Sequence, residues 1–227
     1  MLTGLAIGQS NMLYRGTGGP WTINPLVTLW NNKNDISSSV NDLGTAWITP
    51  TRGVNPLTAG TPLRNNAFAQ ALSLIATARN EQVRGVLSGR GGEGLGTWYS
   101  GGAPQKNLIR AKAVLAAAGV SWVDFVVMAL GESDNSEAIS TGRDRANAIF
   151  RNLKDSSIIA GHTQVIICEA SDTHVRTNEI MAATYATAPE RVYLPTRLQP
   201  TSDGTHFTGD AAPVIGNMIA SAVLRGL

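Results

Sequence analysis

Apolar residues along this chain fall into short continuous runs that alternate with longer stretches of helical spacing. Leu5-Ala6-Ile7 breaks at Gly8 and delivers Ser10, the pattern of a buried strand that ends in a sharp turn. Over residues 63–79 Phe68, Leu72, Leu74, Ile75 and Ala78 recur at helical spacing and predict a helix that stops near Asn80. Residues 83–88 read as a second strand, which opens into the glycine-rich turn 89–96 followed by Trp98 and Tyr99. A helix over 105–118 precedes a strand over 122–130, apolar enough to lie centrally in a parallel sheet, and this strand too ends in a turn, Gly131-Glu-Ser-Asp-Asn135. Helices over 137–153, 176–186 and 210–224 and strands over 163–169 and 191–194 complete the pattern, with Pro213 tolerable only in the first turn of the last helix.

Strands alternating with helices of this length predict an α/β fold with three α/β/α layers around a parallel sheet of about five strands. Ligands in such folds sit beyond the carboxyl ends of the strands, where the turns after Ile7, Ser88 and Leu130 all fall. The segment 14–62, rich in Gly, Pro, Asn, Ser and Thr and carrying Trp21, Trp30 and Trp47, interrupts the alternation. Two readings stand for it: part of a binding surface with short strands or turns of its own, or an insertion that its tryptophans pin to the body.

The 227 residues, 43% hydrophobic, suffice for one sizeable core, so a single domain over 1–227 is expected. Eighteen Lys and Arg against sixteen Asp and Glu are scattered, which leaves no nucleic-acid footprint; Arg143 and Arg145, with Asp144 between them, read as an exposed helix face of mixed sign. The single cysteine, Cys168, sits in an apolar run as a buried strand residue and allows no internal disulfide. With neither a signal-peptide pattern nor an apolar run near 18 residues, the expected setting is the cytoplasm or export as part of a larger assembly, with no membrane partner.

A serine at the end of a strand is either a nucleophile or the cap of the next helix. As a nucleophile Ser10 needs an imidazole, and the chain has three: His162, His174 in a Ser-Asp-Thr-His turn, and His206. The spacing Asp203-x-x-His206 lets a carboxylate fold back on the same imidazole, fix its tautomer and stabilise the imidazolium; the plainer reading is a polar surface turn. A metal site built from the histidines with Asp172 or Asp203 is disfavoured, since no two histidines stand four apart and the cysteine has no partner. The glycine-rich turn lacks the Gly-Lys-Ser/Thr of a phosphate loop, so no cofactor is expected.

Taken together, Gly8-Gln-Ser-Asn11, Gly91-Gly92 with Trp98 behind it, Gly131-Glu-Ser-Asp134 and Asp203-Gly-Thr-His206 resemble, in order, the motifs of the SGNH hydrolases. They are most similar to its branch of sialate O-acetylesterase-like and acetylxylan-esterase-like carbohydrate esterases, from the first strand to the final helix. The resemblance implies a flavodoxin-like fold and a metal-independent serine esterase that removes short acyl groups, foremost acetyl, from a carbohydrate. It makes Ser10 the nucleophile, His206 the general base and then acid, Asp203 its orienter, and the backbone N–H groups of Ser10 and Gly92 the oxyanion donors. Glu132 is implied to brace the turns, while Gln9, Asn11, Trp98 and Tyr99 are candidate contacts to an acetylated sugar or other small ester. The branch usually carries a glutamine donor before Gly-Glu-Ser, where this chain has Leu130, so Asn11 or Asn135 would have to compensate. Glu93 stands where the branch tends to have a small hydroxyl residue. The alternative on the same fold is a non-catalytic glycan-binding or structural module.

Overall fold

The computed structural model describes residues 1–9, 23–32, 43–50 and 66–227. In chain order the strands are β1 (Leu2–Gly8), β2 (Val27–Trp30), β3 (Trp47–Ile48), β4 (Val83–Gly89), β5 (Tyr99–Ser100), β6 (Ala103–Pro104), β7 (Val123–Ala129), β8 (Ile159–Cys168) and β9 (Val192–Leu194). The helices are α1 (Ala67–Arg79), α2 (Lys106–Ala117), α3 (Ile139–Asp155), α4 (Val175–Ala186) and α5 (Ala211–Gly226). Seven strands join one sheet in the order β3-β2-β4-β1-β7-β8-β9, and β5 pairs with β6 in a separate ribbon. Within the sheet every pairing is parallel except that of β2 with β3.

Helices α1 and α5 cover one face, where Phe68, Leu72, Ile75, Ile215, Ile219 and Val223 pack over Ala6, Leu87 and Val127. Helices α2, α3 and α4 cover the other with Leu108, Val114, Ile149, Leu153 and Ile180, over Leu5, Ile7 and Val126. Strand β1 is therefore buried on both faces along its whole length, as a central parallel strand must be.

The sheet is larger than the five strands expected from the sequence, because β2 and β3 lie within 14–62. They have four and two residues, too few for periodicity to reveal, yet Val27–Leu29 align on Val83–Gly85 and extend the main sheet. Trp30 and Trp47 meet edge to face with ring centroids 5.3 Å apart, Trp30 Nε1 donates to the Leu43 carbonyl at 2.6 Å, and the Arg84 guanidinium lies 5.0 Å from the Trp47 ring centre. These two tryptophans pin the sheet edge; Trp21 lies outside the described residues. Helix α1 starts at Ala67 because Asn66 caps it, its side chain accepting from the Ala69 N–H at 2.9 Å. Strand β8 starts at Ile159, earlier than residue 163, and so includes His162, whose ring packs on Trp122 at 4.9 Å; the polar Gly161-His162-Thr163 masked this extension. Helix α3 begins at Ile139, since the Glu137 N–H still closes a turn on Asp134 O at 2.8 Å. Cys168 is buried, and burial pushes its thiol up to about 12, so it packs as an apolar residue. Among the described residues no helix is long and apolar enough to cross a membrane.

Close packing at the sheet centre leaves Gly4 without tolerance. Gly4 pairs with Phe125, and a methyl group at Gly4 would stand 2.4 Å from the Phe125 ring, itself wholly buried. Gly4→Ala is expected to lower unfolding free energy by about 1–3 kcal/mol, read from urea denaturation. Combining it with Phe125→Leu should cost less than the sum of the two single changes.

Candidate active site

All five turns that leave the carboxyl ends of β1, β4, β7, β8 and β9 open on one edge of the sheet. Gln9 is the last described residue after β1; Ser10 and Asn11 lie outside the described residues. The Gln9 backbone N–H donates to Ala129 O at 3.1 Å, so the chain remains in register with β7 up to that point. Its side chain is 1% exposed and joins two further turns: Nε2 donates to Glu93 O at 2.6 Å, and Oε1 accepts from Ser133 Oγ at 3.3 Å. A residue expected to touch substrate is thus committed at both ends of its amide to holding three turns together.

The glycine-rich turn is fixed from below. The Asp134 carboxylate accepts the Leu95 N–H at 2.8 Å, and a side chain on Gly94 would sit 2.4 Å from that carboxylate, so glycine there permits the approach. Burial raises the Asp134 carboxyl above its usual range, with the Glu137 charge adding to it, while the Leu95 bond and Arg145 act in the opposite direction. Arg145 in turn pairs with Glu137, whereas Arg143 and Asp144 form the exposed pair expected of a mixed-sign helix face. Gly92, at the tip, is exposed and left-handed at φ +71°, and among the described residues nothing lies within 4 Å of where a side chain would project. Sequence reasoning missed the bracing role of Asp134, although the residue closes the Gly-Glu-Ser-Asp motif.

Trp98 corrects its expected role as a sugar contact. It is 0% exposed and packs in the core with Leu95 and Leu108, because an indole of that size behind a glycine-rich turn is what anchors the turn. Tyr99 is half-buried, and its hydroxyl donates to Gly102 O at 2.8 Å within the β5–β6 ribbon. Glu93 turns toward the start of α2, meeting Lys106 at 2.7 Å, Asn107 at 2.9 Å and Arg90 at 3.0 Å. Burial alone would raise its carboxyl, but these partners together hold it below the usual range. Glu132 is buried in the short helical turn 132–134. Leu130 is buried apolar core and supplies no donor, and Asn135 Oδ1 accepts the Arg176 N–H at 3.0 Å.

After β9, Thr201 bridges Phe207 and Ser202 N–H donates to His206 O at 2.8 Å, closing a loop around Gly204 at φ +81°. Asp203 is the hub of this loop. Its Oδ1 accepts the N–H groups of Thr205 and His206 at 2.9 and 2.7 Å, and its Oδ2 meets His206 Nδ1 at 2.6 Å. The His206 side chain and those two N–H groups hold the Asp203 carboxyl well below the usual range. Bound at Nδ1, the imidazole has Nε2 as its remaining proton-exchanging atom, and the side chain is 30% exposed. The structure therefore brings Asp203 and His206 together, and sets both on the carboxyl edge that also carries Gly92 and Gln9. His162 lies at the opposite end of β8, against Trp122. His174 is buried beside the 203–206 loop, its pKa lowered by burial and by His206. Among the described residues no three His, Cys, Asp or Glu side chains cluster so as to hold a metal ion.

Several solved structures share this architecture. A protein from Arabidopsis thaliana superposes with a TM-score of 0.73 at 16% identity, over 99% of this chain and 98% of its own. A carbohydrate acetylesterase from Xanthomonas citri gives 0.68 at 14% identity, over 97% of this chain and 55% of its own. Another, from Sinorhizobium meliloti, gives 0.60 at 12% identity over 99% of both chains. At such identities the likeness is one of fold. No curated protein sequence matches the chain. The sequence profile of one family does, across residues 4–225, from β1 to α5. The motif resemblance read from the sequence is thereby borne out: the chain belongs to the carbohydrate esterase, sialic acid-specific acetylesterase family, and is a carboxylic ester hydrolase.

Proposed function

We propose that the enzyme removes an O-acetyl or other short acyl group from a carbohydrate through an acyl-enzyme on Ser10. The observation that carries this reading is the Asp203–His206 bond, 2.6 Å at Nδ1, which leaves Nε2 to exchange protons on the edge where β1 delivers the chain to residue 10. One strand, β7, separates β1 from β8, so their carboxyl ends lie only roughly 10 Å apart, within reach of two side chains.

In this mechanism His206 Nε2 takes the Ser10 hydroxyl proton as the serine oxygen attacks the ester carbonyl, and the carbonyl π electrons move onto its oxygen. The N–H groups of Ser10 and Gly92 receive that oxyanion; the exposed, left-handed Gly92 with no side chain over it suits a backbone donor. Collapse of the intermediate breaks the bond to the sugar oxygen, which takes the proton from His206. Water, deprotonated by His206, then attacks the acyl-enzyme and releases the short carboxylic acid and free Ser10. Asp203 stabilises the transient imidazolium without itself taking the proton. The family description and the acetylesterase relatives support acetyl as the group removed and a sugar as its carrier.

With Leu130 unable to donate, the oxyanion rests on backbone groups. Gly92→Ala should therefore lower kcat by at least about tenfold, since a side chain strains the φ +71° turn that aims its N–H. Stopped assays with an aryl acetate and acetylated sugars are expected to show hydrolysis by wild type and none above background for Ser10→Ala; equal rates for the two would overturn the mechanism.

The pH dependence follows from Asp203. Its folded pKa lies below the unfolded value, so the stability contributed by its bonds is present above about pH 4 and is lost only as pH falls through the depressed folded value. Above about pH 5 the Asp203 carboxylate therefore stays charged. Urea denaturation of wild type and Asp203→Asn across about pH 2–7 is expected to show that acid-sensitive contribution in wild type alone, and identical pH profiles would count against it.

A further inference from the structure

The turn after β8, Ser171-Asp-Thr-His174, has no part in the chemistry above, yet it touches the loop that does. Ser171 Oγ donates to the Gly204 carbonyl at 2.7 Å, and the Thr173 hydroxyl donates to the same oxygen. Gly204 lies between Asp203 and His206, so these two bonds fix where the pair stands. The turn itself is rigid. His174 N–H closes on Ser171 O at 3.0 Å, and the buried Asn178 of α4 accepts from Ala170 N–H at 2.8 Å and donates to Ser171 O at 3.1 Å.

Each hydroxyl carries one proton; Ser171 Oγ and Thr173 Oγ1 lie 3.0 Å apart and both reach Gly204 O, and in the arrangement where each donates to that carbonyl neither has a proton left. His174 Nδ1 lies 2.7 Å from Ser171 Oγ and 3.2 Å from Thr173 Oγ1, which leaves those oxygens only as acceptors. In that arrangement the proton between them belongs to Nδ1. We propose that His174 is a positioning residue: its Nδ1–H, donating to Ser171 Oγ, orients the Ser171 hydroxyl onto the Gly204 carbonyl and so sets the placement of the Asp203–His206 pair. The inference rests on His206 being the catalytic base.

Asp172, within the turn, is exposed, and the charges flanking the turn pair with one another. Arg176 pairs with Glu179 at 3.4 Å, and Glu169 accepts from Tyr193 at 2.7 Å and stands 3.6 Å from Arg197. Burial and His206 lower the His174 pKa, which favours a neutral ring. A neutral ring with its proton on Nδ1 has a bare Nε2, the less common tautomer of a free histidine, so the assignment is open to direct measurement.

Nitrogen-15 NMR of the wild-type protein labelled at histidine is expected to show one neutral ring with the Nδ1–H tautomer at pH 7, assigned to His174 by its loss in His174→Leu or His174→Asn. A neutral His174 protonated on Nε2 would overturn the proposal whatever the variants do. In the ester assay His174→Leu should lower kcat about tenfold or more with KM little changed, because the base is displaced while substrate contacts remain. His174→Asn, whose amide N–H can replace Nδ1–H, should recover most of that loss. Two variants equally active, or equally impaired, would show that the donor does not matter and would overturn it too. Wild type that fails to hydrolyse, or Ser10→Ala that equals it, would refute the Ser10 mechanism, and the tautomer measurement would still decide the role of the His174 donor.

Discussion

Everything at the carboxyl edge depends on β1 being hydrogen-bonded on both sides, to β4 and to β7, along its full buried length. A strand in that position cannot slip by one residue without exposing an apolar face and burying the wrong side chains. Register therefore passes unchanged to Gln9, whose backbone still bonds to Ala129. The Gln9 amide carries the constraint sideways to Glu93 and Ser133, so that the turns after β1, β4 and β7 move as one body. Asp134, bonded to Leu95 N–H, repeats the same link one layer deeper. A buried amide with both ends satisfied is costly to disturb, since breaking either bond leaves an unpaired polar group.

The second half of the site is built differently. The 203–206 loop is closed by one carboxylate on the surface rather than by sheet register, with Oδ1 holding two backbone N–H groups and Oδ2 holding the imidazole. This local closure fixes the orientation of His206 relative to Asp203, but an exposed turn alone does not fix its place in the molecule. Placement comes from the Gly204 carbonyl, gripped by two hydroxyls of the turn after β8. Orientation and placement thus have separate structural causes.

This division also explains what was legible in the sequence. Elements with strong periodicity were: β1, β4, β7 and the five helices fall near their expected bounds. Asp203-x-x-His206 was legible because its geometry is closed within four residues. Short edge strands were not, since β2 and β3 exist only through pairing with a distant β4 and with each other. Nor were the duties of Gln9 and Asp134, each defined by a contact to a turn at least 30 residues away in sequence. Trp98 misled for a physical reason: an aromatic ring beside a glycine turn serves equally as a sugar platform or a core anchor, and only its burial distinguishes the two.

Leu130 shows how the edge accommodates loss of a polar group. A side-chain amide there would need partners on a strand end packed among Ile7, Met128 and Met181, whereas leucine joins that core without one. In the proposed mechanism the oxyanion then rests on backbone N–H groups, whose positions are set by main-chain conformation rather than by a rotamer. A backbone donor cannot swing away, but it is only as well aimed as the turn that carries it. In that mechanism the bracing of the glycine-rich turn by Gln9 and Asp134 bears on the chemistry, because it aims the Gly92 N–H assigned to the developing negative charge.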